Sequence, residues 1–169
     1  MSSTVFTYLI SFVVYAALQV FFVSNLVLFE LAFCYLYVAF LLTLPKETDH
    51  SLAQAVGFLI GLVVDIFQNT WGTHASACVL VMFLRPYIAN LVAQRERSQE
   101  FSREVMGNGA FGLYSLSLIF IHSLLVVLIE TADMSRFFAS LLRVVASTLF
   151  TFTVVMIVQF LYVPKKAKL

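Results

Sequence analysis

Charge is what this chain has least of: ten basic and nine acidic residues make up 11% of 169, against 62% hydrophobic residues and a mean hydropathy of +0.98. Soluble domains run about 45–50% apolar, and a chain this short has no core large enough to hide the excess. The scarcity of charge excludes a soluble globular domain and places the chain in a membrane. A net charge of +1 supplies no bulk attraction for nucleic acid or another polyanion. Cysteine is nearly absent as well. Cys34 and Cys78 both fall inside apolar segments, which argues against a disulfide framework and leaves them as small buried side chains. No basic residue precedes the first apolar run and no small-residue cleavage site follows it, so that run reads as a permanent span and not as a signal peptide. Also missing are an H-E-x-x-H metal motif, a G-x-S-x-G elbow and a phosphate-cradling glycine loop. An intramembrane aspartyl protease needs two converging acids, and Asp133, the one candidate partner for Asp65, sits in the polar turn "ETADMSR". Ser76 follows His74 by two residues and so points to a different helix face, which argues against a Ser-His dyad. The chain reads as non-enzymatic, with no cofactor and no metal.

What is present is a series of apolar runs, at residues 5–23, 26–44, 53–67, 72–92, 112–131 and 137–162. A spanning helix needs about 20 apolar residues. The expectation is an all-α integral membrane protein, a six-helix bundle forming a single transmembrane domain over residues 1–169. The third run is short, and the fourth is interrupted by Arg85 and Pro86, so a re-entrant hairpin is the alternative for that pair. Full spanning is preferred, with the fourth helix continuing through Pro86 to Val92 and Arg85 snorkelling toward the surface. Basic residues collect at Lys46, Arg95, Arg97, Arg103, Lys165, Lys166 and Lys168, whereas Arg136 alone occupies a connection on the other side. The positive-inside rule then places both termini in the cytoplasm. The tract "AQRERSQEFSREVMGNG" is the one long polar stretch. Arg95, Arg97 and Arg103 make it the best cytoplasmic contact surface, and Gly-Asn-Gly marks a helix break within it.

Ionisable groups inside the spans need an explanation, because a charge at mid-bilayer costs on the order of 3 kcal/mol by insertion scales. Gly57, Gly61, Asp65 and Asn69 recur every fourth residue along one face of the third helix. That face suits close helix packing, either within the bundle or against a partner helix. On the fourth helix, His74 and Arg85 return to within roughly 20° of each other, with Arg85 about 15 Å deeper. Asp65 therefore pairs with His74 more readily than with Arg85. Glu30, Asp65, His74, Arg85, Glu130 and Arg143 form the expected intramembrane polar network, which either fixes helix register or lines a binding cavity. His122 reads as a hydrogen-bonded core histidine, and Gln19 and Gln159 as interhelical bonds.

One combination is distinctive. The string Gly57-x-x-x-Gly61-x-x-x-Asp65-x-Phe67, then Trp71-Gly72-x-His74-Ala75-x-Ala77, then Phe83-Leu84-Arg85-Pro86 resembles the MreD family of rod shape-determining membrane proteins. The match covers residues 55–88, a fifth of the chain. The resemblance implies a non-enzymatic scaffold subunit of the bacterial cell-elongation machinery in the cytoplasmic (inner) membrane. Its implied partners are an MreC-type membrane-anchored protein, MreB filaments, a SEDS-type glycosyltransferase and a penicillin-binding transpeptidase. The family is also distantly similar to substrate-binding subunits of energy-coupling-factor vitamin transporters, which supplies the alternative reading of a small-molecule transporter subunit. Those subunits carry an alanine-x-x-x-alanine signature in the first helix. Here Ala16 and Ala17 are followed four residues on by Val20 and Phe21, a departure that counts against transport.

Overall fold

The computed structural model describes residues 2–92, 103–131 and 137–161. Among them are six α-helices, α1 (Ser2–Leu18), α2 (Val38–Leu42), α3 (His50–Gln68), α4 (Thr73–Val92), α5 (Arg103–Glu130) and α6 (Phe137–Leu161). A five-residue π-helical turn, Gln19–Val23, prolongs α1. Two short antiparallel strands, β1 (Val27–Leu28) and β2 (Ala32–Phe33), lie between that turn and α2. Five of the helical segments are long and apolar enough to cross a membrane: Val5–Val23, α3, α4, Val105–Glu130 and α6. Large apolar side chains on their outer faces, Phe6, Phe58, Ile66, Leu128 and Phe160 among them, stand exposed. In a bilayer they are solvated by acyl chains and need no further cover.

Local chemistry sets the helix ends. Asp49 caps α3, its carboxylate accepting from the N–H groups of Ser51 (2.9 Å) and Leu52 (3.2 Å), donors that a helix start leaves orphaned. At the other end Asn69 adopts the left-handed conformation with φ 56°. With Gly72 at φ 83°, it reverses the chain tightly enough for α4 to return along α3, and Trp71 stands fully exposed on the turn. Both helices are long and apolar enough to cross a membrane, as the preferred reading of the pair requires, and α4 runs unbroken through Pro86 to Val92. The Gly-Asn-Gly break falls inside α5, where Gly107 leaves helical geometry at φ 79°, ψ 159°.

The second apolar run departs from expectation. Residues 26–44 do not form a spanning helix. They make a hairpin whose turn holds Phe29 and Glu30 at positive φ, then an extended stretch, then the short α2, ended by Thr43 bonding back to the carbonyls of Ala39 and Phe40. Cys34 through Leu42 are all buried. This segment is the core of the bundle, and α4, α5, α6 and the end of α1 pack around it. It runs alongside α4 for more than half of that helix. Tyr37 meets His74 near the start of α4, while Leu44 meets Arg85, eleven residues or about 16 Å further along that helix.

Candidate functional site

Irregular backbone at membrane depth survives only where protein surrounds it and satisfies its polar groups. In this fold neighbouring side chains do so. Phe33 donates its N–H to Ser147 Oγ (3.0 Å) and Tyr35 donates to Thr151 Oγ1 (3.0 Å). The Thr151 hydroxyl in turn donates to the Phe33 carbonyl at 3.3 Å. Two residues of extended chain advance about 6.6 Å and four residues of helix about 6 Å, so Ser147 and Thr151 on one face of α6 match alternate amides of the segment. From the other side Gln19 Nε2 donates to the Cys34 carbonyl (3.0 Å), and Gln19 Oε1 accepts from the Tyr37 N–H (3.4 Å). Near Pro45 the Tyr114 hydroxyl donates to the Leu42 carbonyl (3.2 Å). Arg85 donates from Nε to Tyr114 (3.0 Å) and from its terminal nitrogen to the Leu44 carbonyl.

The ionisable residues of the fourfold-spaced string serve the seam between α3 and α4. Gly61 is a contact point: a Cβ there would lie 2.5 Å from Ala75 Cα and 2.6 Å from the His74 carbonyl oxygen. At Gly57 the first obstacle is the flexible Met82 side chain at 2.8 Å, with the Cys78 carbonyl at 3.2 Å. This close approach brings Asp65 against the start of α4. Its Oδ1 accepts from the His74 N–H (3.0 Å) and the Thr70 hydroxyl, and Oδ2 accepts from the Ala75 N–H (2.8 Å). The carboxylate thus caps a neighbouring helix, where the first N–H groups lack partners and the helix dipole favours negative charge.

The His74 ring belongs to a different arrangement. The Tyr37 hydroxyl bridges His74 Nδ1 (3.0 Å) and His122 Nε2 (2.7 Å). His74 Nε2 meets Gln68 Oε1 at 3.1 Å, and Gln68 Nε2 donates to Ser24 Oγ at 2.8 Å. His74, Tyr37 and His122 are all buried, and the rings of Tyr35 and His122 lie 4.9 Å apart.

Several expected placements are corrected by this geometry. The six residues of the expected network do not form one cluster. Glu30 is exposed on the hairpin turn, displaced there because its segment is not helical. Glu130 and Arg143 pair with each other at 2.6 Å, half-buried at one end of the bundle, with the Arg143 guanidinium 4.4 Å from the Phe33 ring centroid. Arg85 does not snorkel; it is 4% exposed because the irregular segment offers it carbonyls inside the bundle. Asp65 and His74 do come together, but through the His74 backbone and not its ring. Gly57, Gly61 and Asp65 share the buried face and spend it on α4, whereas Asn69 is an exposed left-handed cap. Arg103 lies with its guanidinium 4.5 Å from the Phe160 ring centroid. Arg95, Arg97, Asp133, Arg136, Lys165, Lys166 and Lys168 fall outside the described residues.

Other placements agree. Cys34 and Cys78 are buried free thiols, His122 is a hydrogen-bonded core histidine, and Ser76 is exposed, bonded to the Gly72 carbonyl and turned away from His74. Gln19 makes a buried bond to a carbonyl, though of the irregular segment and not of a helix. Tyr37, Gln68, Tyr114, Ser147 and Thr151 escaped the sequence reading. Their signal was polarity within apolar helices, which counts for little until a backbone without helical partners is known to lie beside them.

The architecture is that of a mostly helical protein whose five long apolar helices suit a multi-pass membrane protein. Comparison with known protein families, with curated proteins and with solved structures finds no match.

Proposed function

We propose that this protein is a non-enzymatic scaffold subunit of the bacterial cell-elongation machinery, of the MreD type. In this reading it lies in the cytoplasmic membrane with both termini in the cytoplasm, binding a membrane-anchored MreC-type partner. Through that partner it links MreB filaments to a SEDS-type glycosyltransferase and a penicillin-binding transpeptidase. The observation that carries the reading is where the shared string of residues goes. Gly57, Gly61, Asp65 and Arg85 each hold backbone of this chain in place, as befits a part whose task is to present a shaped surface.

Because α4 fills the glycine face, partner contact moves to the outer side of the same helix pair. There an open groove of about 600 Å³ runs from Gly72 to Gln54, with Ser76 and Val79 along its length and Phe58 and Phe83 at its sides. A single spanning helix fits such a trough, small residues allowing close approach. Affinity purification from native membranes tests the reading, comparing the wild type with Val79→Trp, which fills the groove without touching the glycine seam. Recovery of elongation-complex proteins with the wild type and their loss with the variant supports it. Wild-type protein that brings down none of them refutes it.

The alternative, a substrate-binding subunit of a small-molecule transporter, is favoured by one observation: broken backbone at membrane depth, which in transporters lines binding sites. Here the irregular segment is packed solid by Tyr37, Leu41 and Leu42, each fully buried. A small molecule retained by the purified protein would select this alternative.

A further inference from the structure

The hydrogen-bonded chain through the two buried histidines has a direction, and that direction follows from its last member. A carbonyl only accepts, so the Ser24 hydroxyl donates to the Gln19 carbonyl (2.8 Å). Ser24 Oγ is then the acceptor for Gln68 Nε2, which turns Gln68 Oε1 toward His74. An amide oxygen cannot donate, so His74 carries its proton on Nε2. In the neutral ring Nδ1 is then bare and accepts from the Tyr37 hydroxyl. Tyr37 has no second proton, so its oxygen accepts from His122 Nε2–H. His122 Nδ1 is left as a bare lone pair on a fully buried ring, with no hydrogen-bond partner among the described residues.

We infer that His122, Tyr37 and His74 form a binding site for one proton, which enters at His122 Nδ1 and leaves its charge on His74. The transfer balances. A proton forms a bond to His122 Nδ1, the Nε2 proton of His122 passes to the Tyr37 oxygen, and the Tyr37 proton passes to His74 Nδ1. His74 becomes imidazolium, donating from Nδ1 to Tyr37 and from Nε2 to Gln68. Tyr37 now donates to His122 Nε2, and His122 ends neutral with its proton on Nδ1. Every bond between the chain's members survives with its direction reversed on both sides of Tyr37. A second proton has no place, because two imidazolium rings would both donate to Tyr37 and strand its hydroxyl proton. Gln68 cannot pass a proton onward, so the chain stores a proton and does not conduct one.

The surrounding groups suit a charge on His74 better than on His122. From α3 the Asp65 carboxylate lies against the His74 backbone. From α4 the Cys78 thiol is in contact with the Tyr37 hydroxyl, and from the central segment Tyr35 packs on both imidazole rings. Glu130 on α5 and Arg143 on α6 are paired with each other, with Arg143 over the Phe33 ring. Asp65 is thus the acid nearest the site, and it stands on the His74 side.

Side-chain ¹⁵N NMR of histidine-labelled full-length protein in lipid nanodiscs tests this, because it separates Nδ1–H, Nε2–H and imidazolium forms. Single His→Gln variants assign the three histidines, His50 being the exposed one at the start of α3. On acidification, His74 is expected to become imidazolium in the same step in which His122 changes from Nε2–H to Nδ1–H, with one proton taken up by the pair. In Tyr37→Phe, His122 should keep its tautomer as His74 titrates. The proposal is overturned by either of two titrations: one in which His122 does not change tautomer, or one in which both rings become imidazolium. It is also overturned if neither ring changes before helicity is lost. Should Tyr37→Phe fail to fold, the wild-type titration decides by itself.

Discussion

Asp65 holds His74 by its backbone N–H, 3.0 Å from Oδ1, and leaves the imidazole ring free to face the centre of the bundle. A charge and a titratable ring that sequence spacing brings together are thereby given separate tasks. The carboxylate fastens the turn between α3 and α4, and the ring joins those helices to α5 through Tyr37.

Substitution of Asp65 should follow acceptor count. Asparagine keeps one carbonyl oxygen for the His74 and Ala75 amides, whereas leucine leaves both donors buried without partners, at about 1–3 kcal/mol each. Thermal unfolding in detergent should place Asp65→Asn between the wild type and Asp65→Leu. Equal destabilisation by the two would show that the negative charge itself, acting on the helix dipole, is what matters.

The two seam glycines should differ. Gly61→Ala drives its methyl into the backbone of Ala75 and His74, which cannot step aside, whereas Gly57→Ala meets a methionine side chain first. Overpacking costs about 1–3 kcal/mol. Gly61→Ala should reach or exceed the top of that range and Gly57→Ala remain near the bottom. Unfolding midpoints in one detergent compare them directly, and the reverse order would contradict the close approach at Gly61.

Thr151→Val, nearly equal in shape, removes the acceptor for the Tyr35 amide and the donor to the Phe33 carbonyl. Hydrogen exchange should then speed up at the Tyr35 amide, while the Phe33 amide, held by Ser147, and the amides of α3 and α4 keep their protection. Ser147→Ala acts on the neighbouring amide, so the double variant should show coupling instead of simple addition. Unchanged exchange at Tyr35 in Thr151→Val would mean that its amide has another partner.

Arg85→Lys should behave as a loss of function for the fold. One ammonium cannot reproduce the planar fork that reaches Tyr114 and the Leu44 carbonyl together. A hydrogen bond involving a charged group contributes about 1.5–3 kcal/mol. Tyr114→Phe, which keeps the arginine, should cost less than Arg85→Lys when unfolding in detergent is followed by circular dichroism.

Much of this architecture was legible beforehand. Apolar runs located the five long helices, because a helix satisfies its own backbone and needs only enough apolar side chains to dissolve in lipid. The break at Gly107 and the close approach at Gly61 were marked by residues whose backbone freedom or small size those places require. The run at 26–44 misled for the same reason that the others succeeded. Hydropathy reports that a segment avoids water, and a buried extended chain avoids it as thoroughly as a spanning helix.

Composition and apolar periodicity by themselves pointed to a membrane chain and to where its long helices lie, and they called for an inward place for ionisable groups within those helices, which Asp65, His74 and Arg85 take. Tertiary structure alone decided what those groups meet there. Gln19, Arg85, Ser147 and Thr151 lie outside residues 33–44 along the chain, and only the assembled bundle brings them to the amides and carbonyls that the short α2 leaves unpaired.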